Sequence, residues 1–198
     1  GDRIRAMNAD GIDVYRLDIG NPDMPPAENV IDSLAESATK PDHHGYTGYR
    51  GVATFRKAVA RYYANRFGVR VNPDTQVLPV IGSKEGIVNL TFAYVDRGDV
   101  ALVPDIGYPA YAMGTRLAGG TVHWVALTEE NNYLPLLDAI PVKVLEKARL
   151  LWVNYPNNPT GATANQAFYE SAIAFCKKHD ILLVSDNPYV EVTFDGFK

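Results

Sequence analysis

The sequence predicts an α/β protein: a three-layer arrangement in which a largely parallel sheet carries helices on both faces. Three observations predict it. Short, nearly continuous apolar runs at 75–81, 99–104, 121–127, 148–154 and 181–186 read as strands, and strands that are apolar along their whole length belong in a sheet covered on both sides. Segments with helical spacing separate most of these runs, the pattern of parallel strands joined by crossover helices. The chain has 198 residues, 46% of them hydrophobic and 21% charged, enough to bury a core as one domain or slightly more.

The elements follow in order. The opening "GDRIRAMNADG" is polar and has no apolar signal core. "YRLDIGNPDMPP" (15–26) is a short apolar stretch that runs into a turn cluster, and Pro25 and Pro26 suit the first turn of a helix through "AENVIDSLAES". The glycine-punctuated loop "HHGYTGYRG" (43–51) precedes a helix on which Val52, Phe55, Val59, Tyr62, Tyr63 and Phe67 recur at helical spacing. Arg56, Lys57, Arg61 and Arg66 fall largely on its other faces, and Gly68 stops it. Strand and helix then alternate: strand 75–81, helix 83–95, strand 99–104, helix 108–118 and strand 121–127. A less regular stretch covers 128–147, followed by strand 148–154, helix 165–179 and strand 181–186. No repeat or low-complexity linker interrupts the order.

Composition excludes several classes of function. The net charge is −4 with no basic run, which argues against a nucleic-acid partner. One cysteine, Cys176, cannot form an intrachain disulfide and fits a reducing compartment. His43, His44, His123 and His179 are scattered, so no metal site is expected. Apolar runs such as 181–184 are too short to span a bilayer. The expectation is a soluble, cytoplasmic protein with no membrane partner.

In open parallel sheets ligands sit beyond the carboxyl ends of the strands, so the loops there carry the argument. "VIGSKEG" (80–86) places Gly82 and Ser83 where a helix begins, and the unpaired N–H groups of a helix N-terminus suit a phosphate. Taken alone, Ser83 reads as an N-cap beside Glu85; neither the P-loop nor the GxGxxG spacing is present. "VSDNPY" (184–189) ends a buried strand in Asp186, which is either a turn-former or the anion that holds a cationic ring nitrogen, a contact worth ~1.5–3 kcal/mol net. Tyr189 offers a phenol three residues on. Tyr108, in "PDIGYP", is either an interface or core tyrosine or a flat face for stacking. "YPNNPTGA" (155–162) packs two prolines, two asparagines and a glycine after a buried strand, a loop whose path matters and which aims Asn157 or Asn158. Together these residues supply a phosphate seat, a stacking ring, an anion for a pyridinium, and two donors, Asn158 and Tyr189, for a phenolate oxygen. Those are the recognition elements of pyridoxal 5′-phosphate.

The segments "LDIGNPD", "GYTGYRG…FRKAVA", "GSKEGI", "VPDIGYPAY", "NYPNNPTG" and "SDNPYVEV", in that order, resemble the class I/II aminotransferases of the aspartate aminotransferase fold, the fold-type I pyridoxal-phosphate enzymes, over essentially the whole chain. "NNPTG" (157–161) followed by "SDNPY" (185–189) is the strongest of these signals. The wording of "GSKEGI" and "VPDIGYPAY" is most similar to the LL-diaminopimelate aminotransferase branch. The resemblance implies that Asp186 pairs with the pyridine nitrogen, that Asn158 and Tyr189 bond the 3′ oxygen, and that Tyr108 stacks on the ring. It implies that Ser83, with the backbone N–H groups of Ser83 and Lys84, holds the phosphate. Tyr46 is implied to reach the phosphate of the partner subunit's cofactor across a homodimer, and Gly20 to line the substrate carboxylate. Residues 1–40 are implied to be an N-terminal arm with part of a small domain, and 41–198 the cofactor-binding large domain, incomplete at its C-terminus. The implied activity moves an amino group between an amino acid and a 2-oxo acid, as in lysine biosynthesis from LL-diaminopimelate or in an aspartate-type reaction. Alternatives of the same fold are a C–S lyase and a non-enzymatic sensor domain of a regulator. The family's Schiff-base lysine lies beyond the "DxxY" strand, so the 198 residues alone are expected to be inactive. Lys84, in the first turn of a phosphate-facing helix, is not expected to replace it.

Overall fold

Four strands form one parallel sheet in the order β2-β1-β3-β4. The computed structural model describes residues 1–16, 20 and 24–194. Contacts divide the chain into two compact units, Gly1–Val77 and Leu78–Lys198. That division follows contacts, whereas the expected boundary at 40/41 divides the chain by role.

The first unit is helical. It contains α1 (Asp2–Ala9), α2 (Glu28–Ala38) and α3 (Ala53–Phe67). The opening polar segment therefore forms a helix that its sequence did not announce. Pro25 and Pro26 precede the first turn of α2 rather than forming it, since Ala27 is the N-cap; the rest of the expected turn cluster, "LDIGNPD" included, falls largely outside the described residues. Gly68 ends α3 in the left-handed conformation (φ 68°), with its N–H bonded to Ala64 O and that of Val69 to Tyr63 O, a closure that favours glycine. Arg56 departs from expectation. It is buried rather than outward, the one buried residue of the unit among those described. Its guanidinium donates to Pro73 O (3.0 Å), Arg50 O (2.9 Å), Gly51 O (2.6 Å) and Asp74 Oδ1 (3.0 Å), joining the glycine loop to the turn after α3.

The second unit holds α4 (Ser83–Tyr94), β1 (Val100–Pro104), α5 (Ala110–Leu117), β2 (Thr121–Val125), α6 (Val142–Leu145), β3 (Ala148–Asn154), α7 (Gln166–His179) and β4 (Leu182–Asp186). All three strand pairings are parallel. Alternation along the strands divides the core into two faces. Val100, Leu102, Leu151 and Val153 pack with Ala172 and Cys176 of α7. Ala101, Val103, Leu150 and Trp152 pack with Ile87 of α4 and Tyr111 of α5. Helices therefore cover both faces, as the apolar strands require. The approach to β2 is tight: a Cβ on Gly120 would lie 2.3 Å from Val95 Cγ1. The stretch 128–147 resolves into two 3-10 turns, Glu129–Asn131 and Leu137–Ala139, and the short α6.

One expected strand is not formed. Residues 75–81 include no strand. Pro79 has no N–H to give a ladder, and the N–H of Ile81 donates instead to Glu85 Oε2 (2.6 Å), which closes the start of α4 locally. Among the described residues no helix is long and apolar enough to cross a membrane, and no group of three or more His, Cys, Asp or Glu is placed to hold a metal.

Candidate active site

The chain runs from β1 outward to β2, then returns past β1 to β3 and β4. The order therefore reverses between β1 and β3, and the crevice beyond their carboxyl ends is where such sheets bind ligands. The loops after β1, β3 and β4 and the start of α4 meet there around a cavity of about 190 Å³, lined by Ser83, Tyr108, Asn154, Asn158, Asp186 and Tyr189 with Pro188.

Asp186 is the last residue of β4 and stands in register with Asn154, the last of β3. Asn154 is 2% exposed. Its side chain donates from Nδ2 to Asp186 O (2.8 Å) and accepts at Oδ1 from the backbone N–H of Asn158 (2.8 Å). One buried amide therefore fixes two cavity-lining loops at once. The Asp186 carboxylate accepts a hydrogen bond at Oδ2 from the Tyr111 hydroxyl (2.7 Å). Tyr111, on α5, is 0% exposed and lies parallel to the Trp152 indole, with ring centroids 4.8 Å apart and an interplanar angle of 12°. Burial, then the Asp186 carboxylate, pushes the Tyr111 phenol far above its ordinary range, so it stays a protonated donor. Tyr108 meets Tyr111 edge-on (5.9 Å, 75°), and Lys84 Nζ lies 5.9 Å from the Tyr108 ring centroid.

The loop after β3 divides its two asparagines between structure and site. Asn157 is buried; its Oδ1 accepts from the Thr160 hydroxyl (2.8 Å), its N–H donates to Ala162 O (2.8 Å), and its O accepts from Gly161 N (2.8 Å). Its Nδ2 donates to Ile106 O (3.4 Å), tying the loop to the one after β1. The peptide bonds before Pro156 and Pro159 are cis. Asn157 thus holds the loop, and Asn158, half-buried, lines the cavity. At α4 the N-cap is Gly82 (φ 88°), which has no side-chain cap bond. Ser83 is the first helical residue rather than the cap, so its exposed hydroxyl lines the cavity.

Five of the residues read from the sequence, Ser83, Tyr108, Asn158, Asp186 and Tyr189, therefore line one cavity, with Lys84 beside Tyr108. Tyr46 and Gly20 lie in the first unit and are exposed; their expected roles belong to the proposal. Sequence reading missed Tyr111 and Asn154. The signals were present: a second tyrosine three residues after Tyr108, and an amide closing an otherwise apolar strand. A larger groove of about 730 Å³ shares Asn158 and Tyr189 and continues along Thr163, Val192 and Phe194, but no acid or base other than the Tyr189 phenol lines it.

This arrangement suits a flat, cationic nitrogen heterocycle that carries an anionic arm. Asp186 would meet the ring nitrogen, Tyr108 a face, Asn158 and Tyr189 an oxygen substituent, and the start of α4 the anion. Pyridoxal phosphate has this donor and acceptor set, and the residues present fit it.

Known proteins point the same way. The sequence profile of the family described as aminotransferase class I and II matches residues 12–198. An LL-diaminopimelate aminotransferase of Dehalococcoides mccartyi is 47% identical over 196 residues, covering 99% of this chain and 50% of that protein. Another, from Halothermothrix orenii, is 47% identical over 194 residues, covering 98% and 50%. Among solved structures, apo-BacF from Bacillus subtilis superposes with a TM-score of 0.89 at 42% identity, over 93% of this chain and 47% of that one. A probable N-succinyldiaminopimelate aminotransferase from Thermus thermophilus gives a TM-score of 0.89 at 36% identity, over 97% and 52%. The chain spans about half the length of the curated relatives it matches.

Proposed function

This chain belongs to the aminotransferase class I and II family, and from that premise we propose that the full-length protein moves an amino group between an amino acid and a 2-oxo acid with the help of pyridoxal phosphate. The observation that carries the reading is the cavity at the sheet's switch point, where Asp186, Tyr108, Asn158, Tyr189 and Ser83 converge. When bound, pyridoxal phosphate supplies an aldehyde that takes up the amino group and a pyridine ring that accepts the electrons released at the substrate carbon.

The chain's own residues then have distinct tasks. Asp186 holds a proton on the ring nitrogen, which keeps the ring an electron acceptor. Asn158 and Tyr189 orient the ring through its 3′ oxygen, and Tyr108 covers one face. Ser83 and the backbone N–H groups of Ser83 and Lys84 hold the phosphate. The lysine that bonds the cofactor is not Lys84, which starts the phosphate-facing helix; the 198 residues by themselves bind the cofactor weakly and do not transaminate. Residues 1–40 act as an arm and part of a small domain, with Gly20 beside the substrate carboxylate, and 41–198 as the cofactor domain. Tyr46 reaches the phosphate of the partner subunit's cofactor, which makes the site that of a homodimer.

The names of the relatives favour LL-diaminopimelate as donor; we propose 2-oxoglutarate as acceptor, lysine biosynthesis as the role and the cytoplasm as the location. No observation favours the C–S lyase or sensor reading. The test is the full-length protein, loaded with pyridoxal phosphate and assayed against a panel of amino and 2-oxo acids. Amino transfer with LL-diaminopimelate is expected; cofactor binding without transfer to any acceptor would overturn the reading. A full-length structure with Tyr46 beyond hydrogen-bond distance of every phosphate would overturn the shared site.

A further inference from the structure

We infer that Tyr111 is a positioning residue that acts through Asp186: its hydroxyl, held by the stack on Trp152, selects which carboxylate oxygen meets the ring nitrogen of the cofactor. The inference rests on the proposed pyridoxal phosphate site. Tyr111 is not among the residues lining the cavity, yet its hydroxyl hydrogen-bonds the Asp186 carboxylate, 2.7 Å from Oδ2. Three contacts immobilise that hydroxyl. The ring stacks on Trp152, Tyr108 packs on it edge-on, and its backbone begins α5 behind the loop after β1. Asp186 is fixed from its other end by the Asn154 bond to its carbonyl. With Oδ2 engaged by Tyr111 and the backbone carbonyl engaged by Asn154, Oδ1 is the oxygen left for a ligand. The stack has a cost: the buried Trp152 Nε1–H has no hydrogen-bond partner among the described residues.

The test compares two ligands on the full-length protein: pyridoxal phosphate and its 1-deaza analogue, in which a C–H replaces the ring nitrogen. Tyr111→Phe keeps the ring and the stack. It is expected to weaken pyridoxal phosphate about tenfold, the loss of one charge-assisted contact, while leaving affinity for the deaza analogue unchanged. In the Asp186→Ala background Tyr111→Phe is expected to add nothing. Equal weakening of both ligands, or an undiminished effect without Asp186, would show a merely structural role and overturn the inference while leaving the proposed function intact. A parent protein that binds neither ligand overturns both. If Tyr111→Phe does not fold, 3-fluorotyrosine at position 111 keeps the ring and sharpens the donor. It must then change affinity for pyridoxal phosphate alone; a change in step for both ligands overturns the inference.

Discussion

The two units stabilise themselves by opposite means. In the second, dry strands such as Leu150–Val153 bury apolar side chains on both faces of the sheet, and the polar groups that matter stand at the strand ends, Asn154 and Asp186. In the first, the one buried residue among those described is a charged one, Arg56, and its partners are three backbone carbonyls and Asp74. Apolar side chains there stay open: Leu34 of α2 is 71% exposed and Phe55 of α3 52%. A hydrophobic core tolerates a polar site at its rim because the strands are already fixed; a hydrogen-bonded staple fixes only the segments it touches. The comparison predicts separable effects: chemistry lost at the strand ends, global stability lost in the strands, and local order lost at Arg56.

The largest effect is expected at the rim. In the full-length protein Asp186→Ala should cut transamination by about a thousandfold, the equivalent of ~4 kcal/mol of barrier, while the melting temperature of the apoprotein stays close to the parent's. Retention of near-parent rates would break the link between strand end and chemistry. A collapse of stability would show that Asp186 belongs to the core's structure instead.

Next come the strands. Leu151 and Leu150 are 0% exposed and face opposite sides of the sheet. Each Leu→Ala change should cost about 2–5 kcal/mol in denaturant unfolding. A cost below ~1 kcal/mol on either side would mean that its face is loosely packed and that the sheet is not covered equally.

Arg56→Met should cost less, roughly 1–3 kcal/mol, because its carbonyl partners regain water and Asp74 is already largely exposed. Its signature should be local. Hydrogen exchange is expected to speed up in 48–52 and 72–76, with no change in β1 or β3. Faster exchange throughout the sheet would erase the distinction between the two units.

What the sequence disclosed follows the same division. Strands β1 to β4 were legible to within two residues, because continuous apolar runs bounded by breakers have one good solution in a parallel sheet. Gly68 was legible because a helix stop in the left-handed region favours glycine. The cavity-lining set was legible through loops at strand ends, where Asp186, Asn158 and Tyr108 stand out against apolar neighbours. Arg56 was not, since carbonyls of residues 50, 51 and 73 bear no mark in a sequence. Tyr111 was not, since a buried tyrosine on a helix reads as core until its hydroxyl finds an acid 75 positions away. The run at 75–81 misled because apolar content without a pairing partner and with Pro79 inside does not make a strand.

The smallest effect probes how dry the core is. Cys176 on α7 packs against β3, and burial pushes its thiol up to about 11 from an ordinary 9.0. The unfolded chain releases this proton near its ordinary value, whereas the folded protein holds it until pH approaches the raised one. Between those limits the unfolded state binds fewer protons, so rising pH favours unfolding. The contribution of the thiol to stability is therefore complete below pH 9 and falls away as pH climbs toward 11. Cys176→Ala removes this linkage. Against the parent, its unfolding free energy should decline less steeply over that window, and the difference between the two should be flat below it. Tyr111 and Tyr155, whose phenols burial also raises, titrate in both proteins and cancel in the comparison. Identical slopes for parent and variant would mean that water reaches the thiol, and that the α7 face of the sheet is not a dry layer.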